Sequence, residues 1–306
     1  MHISLKNWPP RRHDRQFFYK YVKADTAKTI LVTRKLRWSS PLLFNDPFDI
    51  TQELRLNFDE AELNAALAEE LALLIEKGDV PSVPNHPALA VLLRALIGWN
   101  NPDVLQKIAV ELRHEPIGTT AGQIESFSAL KEVWSDIVTK MRIFCLSELN
   151  DVTPMWLHYT DQYRGAVLEF ECVDEIDSPL LVARPVIYQD SLPEIAEKQA
   201  WARSMLGLTN KTCTDLFTEY QYIKTTAWSY EREWRVVSFA RPGESGMFTD
   251  YSFHPRGLRG IYLGERCAVR DLNDILSLLT HGLEHVSAYR AFLGGTQPKF
   301  MFKKIR

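Results

Sequence analysis

Two glutamates, two arginines and two tryptophans fall within ten residues of this sequence, WSYEREWRVV, from Trp228 to Val237. Side chains alternate along a strand, so Glu231, Glu233 and Arg235 would share one face, and Arg232, Trp234 and Val236 the other. Such a face is either a solvated edge or ion-pair ladder, or the wall of a cleft. In a cleft, one carboxylate can steady positive charge that develops in a reacting substrate while its neighbour positions a hydroxyl. The rings of Trp228, Tyr230 and Trp234 would frame a flat ligand.

Three other stretches carry groups of similar promise. LRWSSPLLFNDPFD places Arg37 just before Ser39 and Ser40. A guanidinium beside hydroxyls binds phosphate or carboxylate in bidentate fashion; otherwise the serines cap a turn and Arg37 pairs on the surface. In the same stretch Asp46 and Asp49 offer oxygens to a hard cation or close Asx turns. FCLSELNDVTPMWLHYTDQYRG clusters Ser147, Glu148, Trp156, His158 and Tyr159 after a strand end, where functional groups concentrate. There His158 either bonds a ribose hydroxyl or phosphate, or packs. His281 and His285 have metal-ligand spacing, but Gly282 between them ends the helix they would need. Cys145, Cys172, Cys213 and Cys267 are widely spaced, with no zinc or disulfide framework. No HExxH, P-loop, GxGxxG after a strand or GxSxG is present.

These groups need a scaffold. β-prone runs are expected at QFFYKYV, LRWSSP, RIFCLSE, GAVLEFEC, VARPVIYQD, the WSYEREWRVV stretch, GIYLGE, HVSAYRAF and PKFMFKKI. Between the second and third, Asp59 to Lys77 repeats leucine at helical spacing, with Gly78 as C-cap. Helices continue from Pro87, through PDVLQKIAVELR, and from about Gln123 to Lys140. Asp25 is expected to cap a short helix after the first strand, and CTDLFTEYQYIKTTAW is expected to be helical throughout. The pattern predicts an α+β or mixed α/β protein. Residues 1–57 and 141–306 would form a mixed-sheet core, continuous or split, and 58–140 a helical insertion lobe that offers a partner surface.

Composition narrows the classes. The 306 residues are 45% hydrophobic and 25% charged, with a formal net charge of −3. A whole-chain basic footprint for nucleic acid is therefore missing, although a local patch is compatible with these numbers. The apolar runs are too short and interrupted to cross a bilayer. The N-terminal residues lack the apolar core of a secretory signal, so a cytoplasmic location is expected, with no membrane partner.

Three blocks, FYKYVKADTAKTILVTRKLRWSSPLLFNDPFD, FCLSELNDVTPMWLHYTDQYRGAVLEF and WSYEREWRVV, together with GIYLGE, resemble a bacterial family known as domain of unknown function 2971. The order of elements also resembles the ADP-ribosyltransferase superfamily, whose members bind NAD in the cleft of a split, mixed sheet. That resemblance puts Tyr19 and Lys20 at the superfamily's first motif, where Arg or His is usual. It puts Ser39 or Ser40 at the second, and Glu231-Arg232-Glu233 at the third. It implies NAD as substrate with no metal, and an enzyme of toxin or phage-defence type that transfers to a nucleic-acid or protein acceptor or hydrolyses NAD. Glu233 would be the catalytic carboxylate and Glu231 its helper, since carboxylates stabilise the oxocarbenium ion of glycosidic cleavage. Tyr19, Lys20, Arg37, Ser39, Ser40, Trp156, His158, Tyr159 and Tyr230 would hold the dinucleotide. Two alternatives stay open: a metal-dependent nuclease built on Asp46, Asp49, Glu148 and Glu231, and a non-enzymatic sensor or interaction module.

Overall fold

The structure, a computed structural model, describes residues 11–78, 87–98, 101–114, 121–176, 178–190, 197–209, 213–294 and 300–306. The elements run β1 (Phe17–Val22), α1 (Ala24–Thr33), β2 (Lys35–Ser39), α2 (Glu60–Lys77), α3 (Pro87–Gly98), α4 (Pro102–His114), α5 (Ala121–Lys140), β3 (Met141–Ser147), α6 (Thr153–Tyr159) and β4 (Ala166–Glu171). They continue with β5 (Arg184–Pro185), β6 (Ile187–Gln189), α7 (Lys198–Met205), α8 (Cys213–Tyr220), β7 (Ile223–Thr225), β8 (Glu233–Phe239), β9 (Phe248–Ser252), β10 (Leu258–Leu263), α9 (Val269–Leu278), β11 (Ser287–Leu293) and β12 (Phe300–Lys304). The fold is α+β, and none of the described helices is long and apolar enough to cross a membrane.

The chain forms two compact units, one of residues 1–49, 140–191 and 222–306 and one of residues 50–139 and 192–221. The first is built on a mixed, largely antiparallel sheet in the order β12-β11-β10-β4-β1-β3-β2-β9, with β8 on β3 and β5 on β8. Among the described residues only β10 and β11 pair in parallel within it, joined through α9. Phe18, Val22, Leu168, Phe170 and Leu263 point to one face, where Ile30 and Leu31 of α1 and Ile275 of α9 bury them. On the other face Met155 and Trp156 of α6 cover Tyr21, Val167 and Phe300.

The sheet forks at β3. One edge of β3 pairs with β8 along its whole length, Met141↔Phe239 to Ser147↔Glu233. The other edge meets β2 only at Ser39↔Ile143 and β1 only at Tyr19↔Ser147. Cys145 lies between these two contacts. Its carbonyl, which has no strand opposite, accepts a hydrogen bond from Lys20 Nζ at 2.7 Å. A buried carbonyl needs such a donor, so a side chain bridges the notch that the strands leave open.

The second unit is helical. A capping box between Asp59 and Glu62 starts α2, and Gly78 in the left-handed conformation ends it. This unit also takes residues 192–221, beyond the 58–140 lobe expected. Phe217 and Tyr220 of α8 pack on Trp134 of α5, and Trp201 of α7 packs on Phe217, all four rings being buried.

Several local expectations are corrected. Lys23, not Asp25, is the N-cap of α1, and Asp25 sits in the first turn without a side-chain cap. The helix through CTDLFTEYQYIKTTAW stops at Tyr220, because Ile223–Thr225 pairs in parallel with β6 as a separate two-stranded sheet. WSYEREWRVV is not one strand: Thr226–Glu231 is a 3-10 turn, Arg232 is left-handed with φ 46°, and the strand begins at Glu233. β9 was not anticipated; it borders β2 with Asp250 opposite Arg37.

Gly165 stands just before β4 and Gly264 just after β10, and Gly264 N–H donates to the Gly165 carbonyl at 2.9 Å. A Cβ on Gly165 would lie 2.2 Å from the Val22 carbonyl, and one on Gly264 2.1 Å from that of Tyr163. Backbone cannot step aside as a side chain can. Gly165→Ala and Gly264→Ala are each expected to cost at least about 1–3 kcal/mol, as overpacked sites do. Gly98→Ala, with nothing within 4 Å, is expected to be neutral or slightly stabilising. Denaturant melts compare the three.

Candidate functional site

A pocket of about 210 Å³ opens at the fork of the sheet. Tyr19, Lys20 and Tyr21 of β1, Arg37 and Ser39 of β2, and Ile143, Cys145 and Ser147 of β3 line it. Phe44, Asn45, Asp46 and Asp49 come from the loop after β2, and Tyr159, Lys224, Glu231 and Glu233 complete the wall.

The floor is a buried charge cluster. Asp49 (3% exposed), Glu231 (3%), Glu233 (5%), Lys224 (6%) and Arg235 (0%) are all withdrawn from water. Arg235 bonds both oxygens of Asp49, and its Nε reaches Glu233 Oε1 at 2.8 Å. Lys224 Nζ donates to Glu231 Oε2 at 2.6 Å and Glu233 Oε2 at 3.1 Å, and lies 3.7 Å from Asp49 Oδ2. The Tyr159 hydroxyl donates to Glu231 Oε1 at 2.5 Å. Desolvation of so many charges is costly, and mutual pairing offsets it.

Local structure explains the convergence. On β8, alternation sends Glu233 and Arg235 to one face, while Trp234 and Val236 enter the core on the other. Glu231 reaches the same side by another route, the 3-10 turn and the left-handed Arg232. The parallel pairing of β6 and β7 sets Tyr188 beside Lys224, and the Tyr188 hydroxyl accepts from the Glu233 backbone N–H at 2.8 Å. Ser147 Oγ donates to the Glu231 carbonyl at 2.7 Å, fastening the turn to β3.

The carboxylates differ in character. Burial pushes the Glu231 carboxyl up, against the pull of Lys224. Burial also raises Asp49, with Arg235 opposing. For Glu233, burial acts upward too, but the charges of Arg235 and Lys224 prevail and hold it well below the usual carboxylate range. Tyr159 is pushed up by burial and by the adjacent Glu231 charge. Lys224 stays charged: burial lowers it, but the carboxylates around it raise it above an ordinary lysine.

The remaining expected residues divide. Tyr19, Lys20, Ser39 and Tyr159 line the pocket with the two glutamates. Arg37 reaches only its rim: its side chain is 55% exposed, pairs with Asp250 at 2.9 Å and lies over Phe248 at 3.6 Å. Ser40 is buried behind the wall, its Oγ accepting from Leu42 N–H as a turn cap. Trp156 is a core residue, its Nε1 donating to the Asn150 carbonyl at 2.7 Å. His158 is exposed on α6 and does not line the pocket. Tyr230 is half-buried beside Trp228, outside the lining. Glu148 is engaged elsewhere, by Arg232, Arg15 and the Trp234 indole.

The central cation, Lys224, was missed. QYIKTT reads as the end of a helix when continued from CTDLFTEY, although its run of Ile223, Thr225 and Thr226 is β-branched and could have signalled the short strand.

Residues 155–236 match the model of the family described as protein of unknown function (DUF2971). No curated protein and no solved structure matches the chain. The matched segment runs from α6 to β8, and so contains Tyr159, Tyr188, Lys224, Glu231, Glu233 and Arg235. Asp49, which closes the cluster, comes from outside it.

Lys224→Met leaves three buried carboxylates to one guanidinium. Breaking such pairs costs about 3–5 kcal/mol, and the loss is expected to depend on pH. Groups with raised values, Glu231 and Asp49, contribute stability below their ordinary values of about 4 and lose it as pH rises through the folded values. Glu233, held low, contributes above about 4.3 and loses that contribution as pH falls. Removing Lys224 raises the first two further and weakens the hold on the third, and both changes penalise high pH. The deficit of Lys224→Met is therefore expected to be larger at pH 8 than at pH 5. Equal deficits in urea melts at the two pH values would contradict the cluster's electrostatics.

Proposed function

We propose that the pocket at the fork is an active site that cleaves the bond between nicotinamide and ribose in NAD, with water or a nucleic-acid or protein group as acceptor. One observation carries this reading: the Glu-x-Glu pair lies buried at the floor of an aromatic-walled pocket instead of on a solvated edge. A preorganised carboxylate cluster in a low-dielectric site favours a substrate that becomes cationic as it reacts.

The roles of the two glutamates follow from their partners. Both oxygens of Glu233 are taken by Lys224 and Arg235, so Glu233 is the fixed anion that orders the cations. Glu231, with its value raised and its oxygens on Tyr159 and Lys224, is the group poised to gain or lose a proton. As the C–N bond breaks, its electron pair leaves with neutral nicotinamide and the ribose becomes an oxocarbenium ion beside Glu231. The acceptor oxygen then bonds to that carbon and its proton passes to Glu231 and on to solvent. Tyr19, Tyr159 and Phe44 flank the flat heterocycle. At about 210 Å³ the pocket is smaller than the roughly 300–1,000 Å³ usual for ligand sites, which suits the nicotinamide riboside end. The diphosphate would rest at the rim near Lys20, Ser39 and Arg37, competing with Asp250 for Arg37.

A metal-dependent nuclease fits less well, because Asp49, Glu231 and Glu148 already bind protein cations. The test is release of nicotinamide from NAD by the purified protein, alone and with DNA, RNA or cell protein. Glu231→Gln is expected to lower the rate about 10²–10³-fold in a variant that still melts cooperatively. If wild type releases no more nicotinamide than Glu231→Gln under every acceptor condition, the enzyme reading fails. NAD binding without release would leave a sensor.

A further inference from the structure

The loop between β2 and α2 brings a fourth carboxylate to the pocket, and it differs from the other three. Asp46 is 6% exposed and lines the pocket. Its Oδ1 accepts from the Phe48 backbone N–H at 2.9 Å, the Asx turn that holds the loop. Its Oδ2 is buried and has no hydrogen-bond partner among the described residues. Asp49, Glu231 and Glu233 each meet lysine or arginine at bonding distance. A carboxylate oxygen kept from water and left without a donor is costly, and native proteins retain such groups where something else completes them.

We infer that Asp46 selects the ligand of this pocket, its Oδ2 accepting an N–H from a flat aromatic amide or amidinium. The inference deepens the proposed reading of the same pocket by naming the end of the ligand that enters and the chemistry it must carry. A carboxylate oxygen without a donor calls for one, and a ligand carboxylate would bring it only further acceptors. The faces of Tyr19, Tyr21, Phe44 and Tyr159 among the lining residues suit a planar partner, and a planar cation gains further against such faces. Oδ2 is closed off in the free protein, so a donor that reaches it does so with an adjustment of the loop that carries Asp46. Nicotinamide carries the required N–H group; nicotinate, its acid counterpart, does not.

The experiment titrates the full chain with benzamidine, benzamide and benzoate, followed by calorimetry or by shifts of labelled tyrosines. Wild type is expected to bind benzamidine most tightly, benzamide next and benzoate least. Asp46→Asn keeps an oxygen for Phe48 N–H and replaces Oδ2 with a donor. It is expected to retain the melting midpoint, to lose benzamidine affinity at least about tenfold, the worth of one hydrogen bond to a charged group, and to gain benzoate affinity. If Asp46→Asn does not fold, Asp46→Ser, whose hydroxyl can cap the same turn, takes its place with the same expected loss of benzamidine. No binding of either donor probe to wild type, or an unchanged order in the variant, overturns the inference. The two proposals separate cleanly: an Asp46-dependent probe preference without nicotinamide release from NAD removes only the proposed reaction. Nicotinamide release, with probe preference indifferent to Asp46, removes only the selector.

Discussion

Five charged side chains buried in one place set the terms for the sheet-bearing unit. Asp49, Glu231 and Glu233 cannot be taken from water alone, and neither can Lys224 and Arg235. Each is tolerable because an opposite charge lies within bonding distance, and these five come from four elements, three of them consecutive in the chain. The loop after β2, the strand β7, the 3-10 turn and the strand β8 are therefore held to one another by electrostatics as well as by packing. Tyr159 and Tyr188 extend the same network to α6 and β6. A cluster of this kind favours one arrangement over its near neighbours, since a shift of one member strands the others.

The fork in the sheet supplies the space above the cluster. If β1 and β2 paired with β3 along its length, their backbones would fill the region the pocket occupies. Each makes a single register contact instead, and Lys20 satisfies the one carbonyl left between them. The cavity is thus a consequence of strand pairing, and its walls are shared by the strands, the loop after β2, the helix α6 and the 3-10 turn.

Parts of this were legible in the sequence and parts were not. Alternation along Glu233, Trp234, Arg235 and Val236 is a local property, and the strand obeys it. The helix α2 carries its own capping box and C-terminal glycine, and the helices after it start from proline or repeat apolar residues at helical spacing, so they too could be read. The strand β9 could not, because five residues lack a distinctive period and owe their conformation to partners distant in the chain, and the short strand holding Lys224 showed only in its β-branched residues. The same holds for Trp156 and His158, which sit two residues apart on a helix, one in the core and one in solvent. Residue type nominated both for a site; only the helix's orientation decides. Arg37 illustrates a third limit, since its cross-strand partner Asp250 lies on the strand that sequence reasoning did not find.

Arg232 adopts positive φ without being glycine, and the turn it makes has an effect on inheritance of orientation along the chain. In an uninterrupted strand the spacing of Glu231 and Glu233 would lock their carboxylates into parallel, side-by-side vectors about 7 Å apart, two residues of strand rise. The left-handed kink releases them from that geometry. The two acids reach the same ammonium from separate elements, one from a turn and one from a strand. A two-residue motif thereby brings both of its carboxylates onto one cation.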